Sequence, residues 1–82
     1  MYYIYILKSQ VSGTYYTGSC QDLVIRLGQH NKGYVKSTRK LKPWELIYRE
    51  QYNTLSEARK RESEIKSWKS RRRIEILINL GL

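Results

Sequence analysis

Glu62, Arg26, His30, Tyr5 and Tyr16 are of the types that hold a cation, clamp an oxyanion and move a proton. Glu62 stands out by its position. Residues 58–68 read ARKRESEIKSW, and at about 100° per residue Leu55, Ala58, Ile65 and Trp68 form one apolar helical stripe, with Glu57 and Glu64 opposite. Glu62 falls inside that stripe, between Leu55 and Ala58. A carboxylate facing a core is costly unless something pairs with it or binds it, so Glu62 is expected to hold a positive charge. Arg26 and His30 stand four apart on an earlier helical segment and share one flank of it. In the first strand Tyr3 and Tyr5 share a face while Tyr2, Ile4 and Ile6 share the other; in the second, Tyr16 and Gly18 share a face. A hairpin joining the two strands brings a phenol from each side by side. Each residue alone has a plainer role: strand tyrosines pack, a histidine near a helix C-terminus suits the dipole, and Glu62 can pair with Lys66 or Arg59. Together they make a site.

The elements that must position these groups follow from pattern. Tyr2 to Leu7 is an unbroken β-branched and aromatic run, expected as a strand buried on both faces. Lys8 to Gly13 reads as a hairpin loop, and Thr14 to Ser19 as the returning strand, ended by Gly18. Asp22 is placed to cap a helix carrying Leu23, Val24 and Leu27 to about Asn31, which Asn31 and Gly33 stop. Residues 32–43 form a polar, basic loop ending in Pro43. Trp44 to Tyr52 alternates as a third strand, with Leu46, Tyr48 and Glu50 on one face against Ile47 and Arg49. Thr54 and Glu57 make a capping box that starts the helix bearing Glu62. Ser70 punctuates, and Ile74, Leu77 and Ile78 give a last amphipathic helix. The expected order is ββαβα plus a short C-terminal helix, forming one domain over residues 1–82.

Composition narrows the partners. Among 82 residues, 16 Lys and Arg face 7 acids for a formal net charge of +9, which favours polyanions: nucleic acid first, an anionic membrane surface second. The charge is concentrated in a loop cluster, with Lys36, Arg39, Lys40 and Lys42 placed for phosphate contact, and in a second group from Arg59 to Arg73. Cys20 is the single cysteine, so neither an internal disulfide nor a cysteine zinc site is available. No apolar run approaches about 18 residues, and the start MYYIYILKSQ lacks the features of a signal peptide. The expectation is a cytoplasmic protein without membrane contact, monomeric or weakly dimeric.

The ordered set Tyr3-Ile4-Tyr5, Tyr16-Thr17-Gly18, RLGQHNKG (Arg26 to Gly33) and RESEIKSW (Arg61 to Trp68) resembles the GIY-YIG nuclease superfamily. More closely, it resembles its small stand-alone bacterial members, related to the N-terminal nuclease domain of the excision-repair incision subunit. The resemblance implies an α/β (α+β) sandwich, a three-stranded antiparallel sheet flanked by helices, and metal-dependent hydrolysis of a phosphodiester in DNA repair or recombination. It implies Tyr5 and Tyr16 as motif tyrosines, Arg26 as the phosphate-facing arginine, His30 near the reacting water, and Glu62 as the ligand of one Mg²⁺ or Mn²⁺. Gly18 joins the basic loop as an expected contact to nucleic acid, with DNA the expected partner and RNA an alternative. The chain departs from the pattern twice, with Tyr3 for glycine in the first tripeptide and Ser19 where the repair subunit has lysine.

Elementary chemistry supports the same set. Phosphodiester cleavage adds negative charge to the phosphoryl and departing oxygens, which a divalent ion on one carboxylate and a bidentate arginine can neutralise. A phenol of ordinary pKa about 10 is a poor base unless nearby positive charge lowers that value, and Tyr5, Tyr16 and His30 all remain candidates for the proton acceptor. The competing expectation is a catalytically weak or inactive module that keeps the nuclease shape and only binds nucleic acid.

Overall fold

The computed structural model describes residues 1–81. Its elements run β1 (Tyr2–Ser9), β2 (Tyr15–Cys20), α1 (Leu23–Asn31), a 3₁₀ turn at Arg39–Leu41, β3 (Trp44–Tyr52), α2 (Leu55–Ser67) and α3 (Arg71–Gly81). The strands form one antiparallel sheet in the order β2-β1-β3. This is the expected α+β fold, with a C-terminal helix almost as long as α2.

The central position of β1 explains its composition. Ile4, Tyr5, Ile6 and Leu7 are all buried, because helices cover both faces of the sheet. Ile4 and Ile6 pack with Tyr48, Ala58 and Ile65 beneath α2 and α3, joined by Ile74, Leu77 and Ile78. Tyr5 and Leu7 pack with Trp44 on the other face, against Leu23 and Leu27 of α1. Both helix starts are capped as expected: Asp22 accepts from the Ile25 N–H at 3.0 Å, and Thr54 from the Glu57 N–H at 3.2 Å. In the second cap, the Thr54 hydroxyl donates back to the Glu57 carboxylate at 3.0 Å. Gly33, at φ 80°, turns the chain out of α1 in the left-handed conformation that glycine tolerates.

The structure corrects several expected details. β1 runs on through Lys8 and Ser9, because these still pair with Glu45 and Trp44 of β3. Ser9 is buried rather than looped out: its hydroxyl donates to the Leu41 carbonyl at 2.6 Å and accepts from the Val11 and Ser12 N–H groups. Gly18 lies inside β2, opposite Tyr5, and does not end it. Val24 is 83% exposed, leaving Leu23 and Leu27 as the packing residues of α1. A register shift between Ile6 and Leu7 places Tyr48 opposite Ile6 and Leu46 opposite Leu7. This bulge splits the expected alternation of β3, sending Leu46 to the α1 face while Tyr48 and Glu50 stay on the other.

Glu50 holds α2 to the sheet. Its carboxylate accepts from the hydroxyls of Tyr48 and Tyr52 and from Arg61 Nε and Nη2, the last two at 2.9 and 3.1 Å. Burial alone would push this carboxyl up, but the bonds from Arg61, Tyr48 and Tyr52 outweigh it and hold its pKa below the ordinary value. Glu50→Ala strands the half-buried Arg61 and two phenols together, so it should destabilise the fold by about 3 kcal/mol, measured by urea unfolding. A loss under about 1 kcal/mol would show that solvent replaces the carboxylate freely.

Candidate active site

β1 and β2 lay the two tyrosines on one face. Tyr5 pairs with Gly18 and Leu7 with Tyr16, so both phenols project toward α1. A Cβ at position 18 would overlap the hydroxyl and ring of Tyr5, so glycine is required there for the phenol to lie across the strand. That is a packing reason for Gly18, distinct from the contact to nucleic acid expected of it.

Around the Tyr5 oxygen the side chains of α1 converge. His30 Nε2 lies 2.9 Å from it, and Arg26 Nε donates to it at 3.3 Å. Arg26 Nη1 donates to Gln29 Oε1 at 2.9 Å, which steadies the guanidinium. On its far side, His30 Nδ1 meets the Thr38 hydroxyl at 2.7 Å. The His30 ring also stands edge-on to Tyr16, centroids 5.1 Å apart, and Tyr16 is edge-on to Trp44 at 6.2 Å. The structure thus brings Tyr5, Tyr16, Arg26 and His30 into one cluster.

Burial separates their abilities. His30 is 0% exposed, and burial, then the charge of Arg26, pushes its pKa down to about 4. It is therefore neutral near pH 7 and shielded from solvent by Tyr5 and Thr38. Burial pushes Tyr5 up to about 12 against the opposing pull of Arg26, so its phenol stays protonated. Tyr16 is only half-buried.

The buried imidazole makes stability pH-dependent. An unfolded histidine takes its proton near pH 6.5 and the native one near 4, so over that window the unfolded state binds more protons and stability falls as pH falls. Between pH 7 and 5 the wild type should lose about 2 kcal/mol in urea unfolding, and His30→Asn should remove most of that dependence. An equal pH slope in both proteins would show that other groups carry it.

Glu62 arrives from the opposite layer. α2 packs on the face of Ile4 and Ile6, and Glu62 reaches the outer edge of β2, where the Ser19 hydroxyl donates to Oε1 at 2.6 Å and Lys66 Nζ to Oε2 at 2.7 Å. Its side chain is 21% exposed. Leu55, expected in the buried stripe, is exposed, so the buried arc of α2 narrows to Ala58 and Ile65 and Glu62 lies on its margin. The link to the tyrosine cluster is Lys66, whose ammonium stands 5.6 Å from the centroid of the Tyr16 ring while bonded to Glu62. Ser19 brings no charge to this edge of β2, and the ammonium beside Tyr16 is that of Lys66 from α2.

No group of three or more His, Cys, Asp or Glu able to hold a metal occurs among the described residues. A single carboxylate does fit a hard ion that keeps most of its waters and takes substrate oxygens, and Glu62 has lone pairs beyond the two bonds it accepts. Thr38 and Glu50 are functional neighbours that sequence reasoning misses, whereas the Glu62–Lys66 pair is the plainer role expected of Glu62, and Ser19 is expected only as a departure from the family pattern. The only available sign for Lys66 was its i+4 spacing from Glu62.

The basic loop hangs on this site. Thr38 is buried against His30, the indole of Trp44 donates to its carbonyl at 2.9 Å, and Asn31 holds the Trp44 backbone through two bonds. Lys36, Arg39, Lys40 and Lys42 remain largely exposed, and none forms an ion pair among the described residues.

Residues 1–75 match the model of the GIY-YIG catalytic domain. The chain is 39% identical over 77 residues to a UPF0213 protein of Staphylococcus saprophyticus and 38% identical to one of Staphylococcus aureus, covering 93% of each chain in both cases. The solution NMR structure of a UPF0213 protein from Bacillus halodurans superposes with a TM-score of 0.61 at 35% identity, covering 98% of this chain and 85% of that one.

Proposed function

Because the chain belongs to the GIY-YIG catalytic domain family, a nuclease fold, we propose that it is a divalent-metal-dependent endonuclease hydrolysing DNA phosphodiester bonds. The observation that carries this reading is the convergence of Arg26, His30 and Tyr5 about one phenolic oxygen, with Tyr16 between them and the Glu62–Lys66 pair.

Each side chain has a defined task in this reading. Arg26 offers the guanidinium face not taken by Tyr5 and Gln29 to a non-bridging phosphoryl oxygen. Tyr5, kept protonated, orients Arg26 and leans on neutral His30, which is shielded from solvent and so acts through Tyr5 rather than on water. Tyr16 is the open hydroxyl, and we assign its phenolate form to take the proton of the attacking water, which returns it to the neutral phenol. Glu62 would hold one Mg²⁺ or Mn²⁺, with the Lys66 ammonium displaced from Oε2. When bound, that ion would supply Lewis-acid neutralisation of charge on the departing oxygen. Lys36, Arg39, Lys40 and Lys42 grip flanking phosphates, giving structure-directed or weakly specific recognition suited to repair or recombination.

No helix among the described residues is long and apolar enough to cross a membrane, and Cys20 is a free thiol. Both accord with the cytoplasmic setting we assign. The test is incubation of nicked, flapped and plasmid DNA with Mg²⁺ or Mn²⁺. Metal-dependent products are expected, and their absence across all substrates would remove the enzymatic reading. One observation favours a second reading, a module that binds without cutting: Ser19 and Lys66 already occupy both carboxylate oxygens of Glu62. Nucleic-acid binding with no metal uptake in titration would establish it.

A further inference from the structure

On the face of the sheet away from Tyr5 and His30 lies a cavity of about 310 Å³ between β2, the end of α2 and the start of α3. Its walls are Thr17, Ile65 and Ile74, and its rim carries Lys66, Lys69 and Arg71. No acid lines it. Glu62 and Glu75 lie outside, the first bonded to Lys66 and the second to Tyr15 and, at 3.5 Å, to Arg71. Arg71 is also braced by the Gly13 carbonyl at 2.9 Å and by the Tyr15 ring at 4.4 Å, so its charge is fixed at the rim. Lys69 is exposed and forms no ion pair among the described residues.

Two independent features point to an anion. α3 opens here: the Ser70 hydroxyl accepts from the Arg73 N–H at 3.3 Å and the Ser70 carbonyl from the Ile74 N–H. The Arg71 and Arg72 N–H groups are left for an outside acceptor, at the positive end of the helix dipole. Separately, Thr17 is 6% exposed, lines the cavity, and its hydroxyl makes no hydrogen bond among the described residues. No fully buried side-chain polar atom there lacks a partner, so that hydroxyl must open to the space it borders.

We propose that this cavity is a second phosphate subsite, taking a backbone phosphate of nucleic acid that flanks the one assigned to Arg26 and Glu62. The proposal rests on the nuclease reading for its ligand class, and adds where the strand passes. Thr17 stands between Tyr16 and Gly18 in β2, and Lys66 reaches both Glu62 and the cavity, so a strand crossing the β2 edge meets the two positions in succession.

The test avoids cleavage altogether. Oligonucleotide binding is measured without metal across a salt series for wild type, Lys69→Gly, Thr17→Val and Lys60→Ala. Lys69 sits at φ 50°, a conformation glycine adopts freely, so Lys69→Gly removes the charge without straining the backbone. Losing one phosphate contact should lower the slope of log K against log salt by about 0.7 to 0.9. Thr17→Val should weaken binding with the slope kept, and Lys60→Ala should leave it near wild type. Titration of inorganic phosphate, followed by amide NMR, should shift Thr17, Arg71 and Arg72 first. Equal effects of Lys69→Gly and Lys60→Ala would reduce the effect to net charge and overturn the subsite. Phosphate shifts with unchanged oligonucleotide binding would make it a free-anion site and overturn the strand path. Loss of cleavage in active-site variants with these binding differences absent would keep the nuclease and sink the subsite.

Discussion

Glu62→Gln should reduce metal-dependent cleavage by roughly 10³-fold or more while changing stability by less than about 1 kcal/mol. The two effects separate because of where the carboxylate lies. The amide introduced by Glu62→Gln would keep the shape and an acceptor for the Ser19 hydroxyl, now 2.6 Å from Oε1. What it gives up is the ion pair with Lys66, whose side chain is 49% exposed. A pair that open to solvent adds little to stability. The metal is a different matter. A neutral amide cannot hold a hard divalent ion against water when it is the sole protein ligand, and no group of three or more acids, histidines or cysteines gathers among the described residues to replace it. Urea unfolding, metal titration and cleavage on the same samples decide it. Equal cleavage by wild type and Glu62→Gln would make the activity a contaminant or place the ion elsewhere. A large stability loss would make Glu62 a structural acid held by Ser19 and Lys66, as the second reading requires.

What could be read from sequence was what local physics dictates. The N-caps at Asp22 and Thr54 are set by a side chain and an N–H three residues on, and the span Trp44–Tyr52 by its own residues, so both are visible in a short window. The tyrosine pair followed from strand parity once a hairpin was assumed. Parity failed where the sheet broke it, since nothing in the third strand announces a register shift that arises opposite Ile6 and Leu7 of another strand. Helical periodicity placed Glu62 near the apolar arc but could not know that Leu55, in the first turn, has no layer above it. The partners of the site residues were the least legible. Ser19 meets Glu62 from 43 positions away, and Thr38 meets His30 across the loop turn; both are common hydroxyls whose meaning comes only from what folds beside them. The Arg61–Glu50 clasp shows the converse, because a motif arginine beside the candidate metal acid is spent on holding α2 to the sheet.

Gly18→Ala should destabilise the chain by about 3 kcal/mol and disperse the tyrosine cluster. The added methyl would meet the Tyr5 oxygen and ring closer than van der Waals contact allows, so something must move. The phenol has nowhere to go: Tyr5 is 2% exposed, with its oxygen held by His30 at 2.9 Å and Arg26 at 3.3 Å. The backbone is equally fixed, because Gly18 pairs with Tyr5 in the middle of the β1–β2 ladder. Any relief must therefore break the Tyr5 bonds or part the strands, and either one pulls Arg26 from its support. Gly28 supplies the contrast within the same chain. It lies in α1 with nothing within 4 Å of a built Cβ, so Gly28→Ala should stabilise by about 0.5–1 kcal/mol through backbone entropy and helix propensity. Urea unfolding of both variants measures the difference, and the His30 side-chain NMR signals report whether the Tyr5 contact survives. A neutral Gly18→Ala with those signals unmoved would mean that Tyr5 does not lie across the strand, and the site as built on that phenol would fall with it.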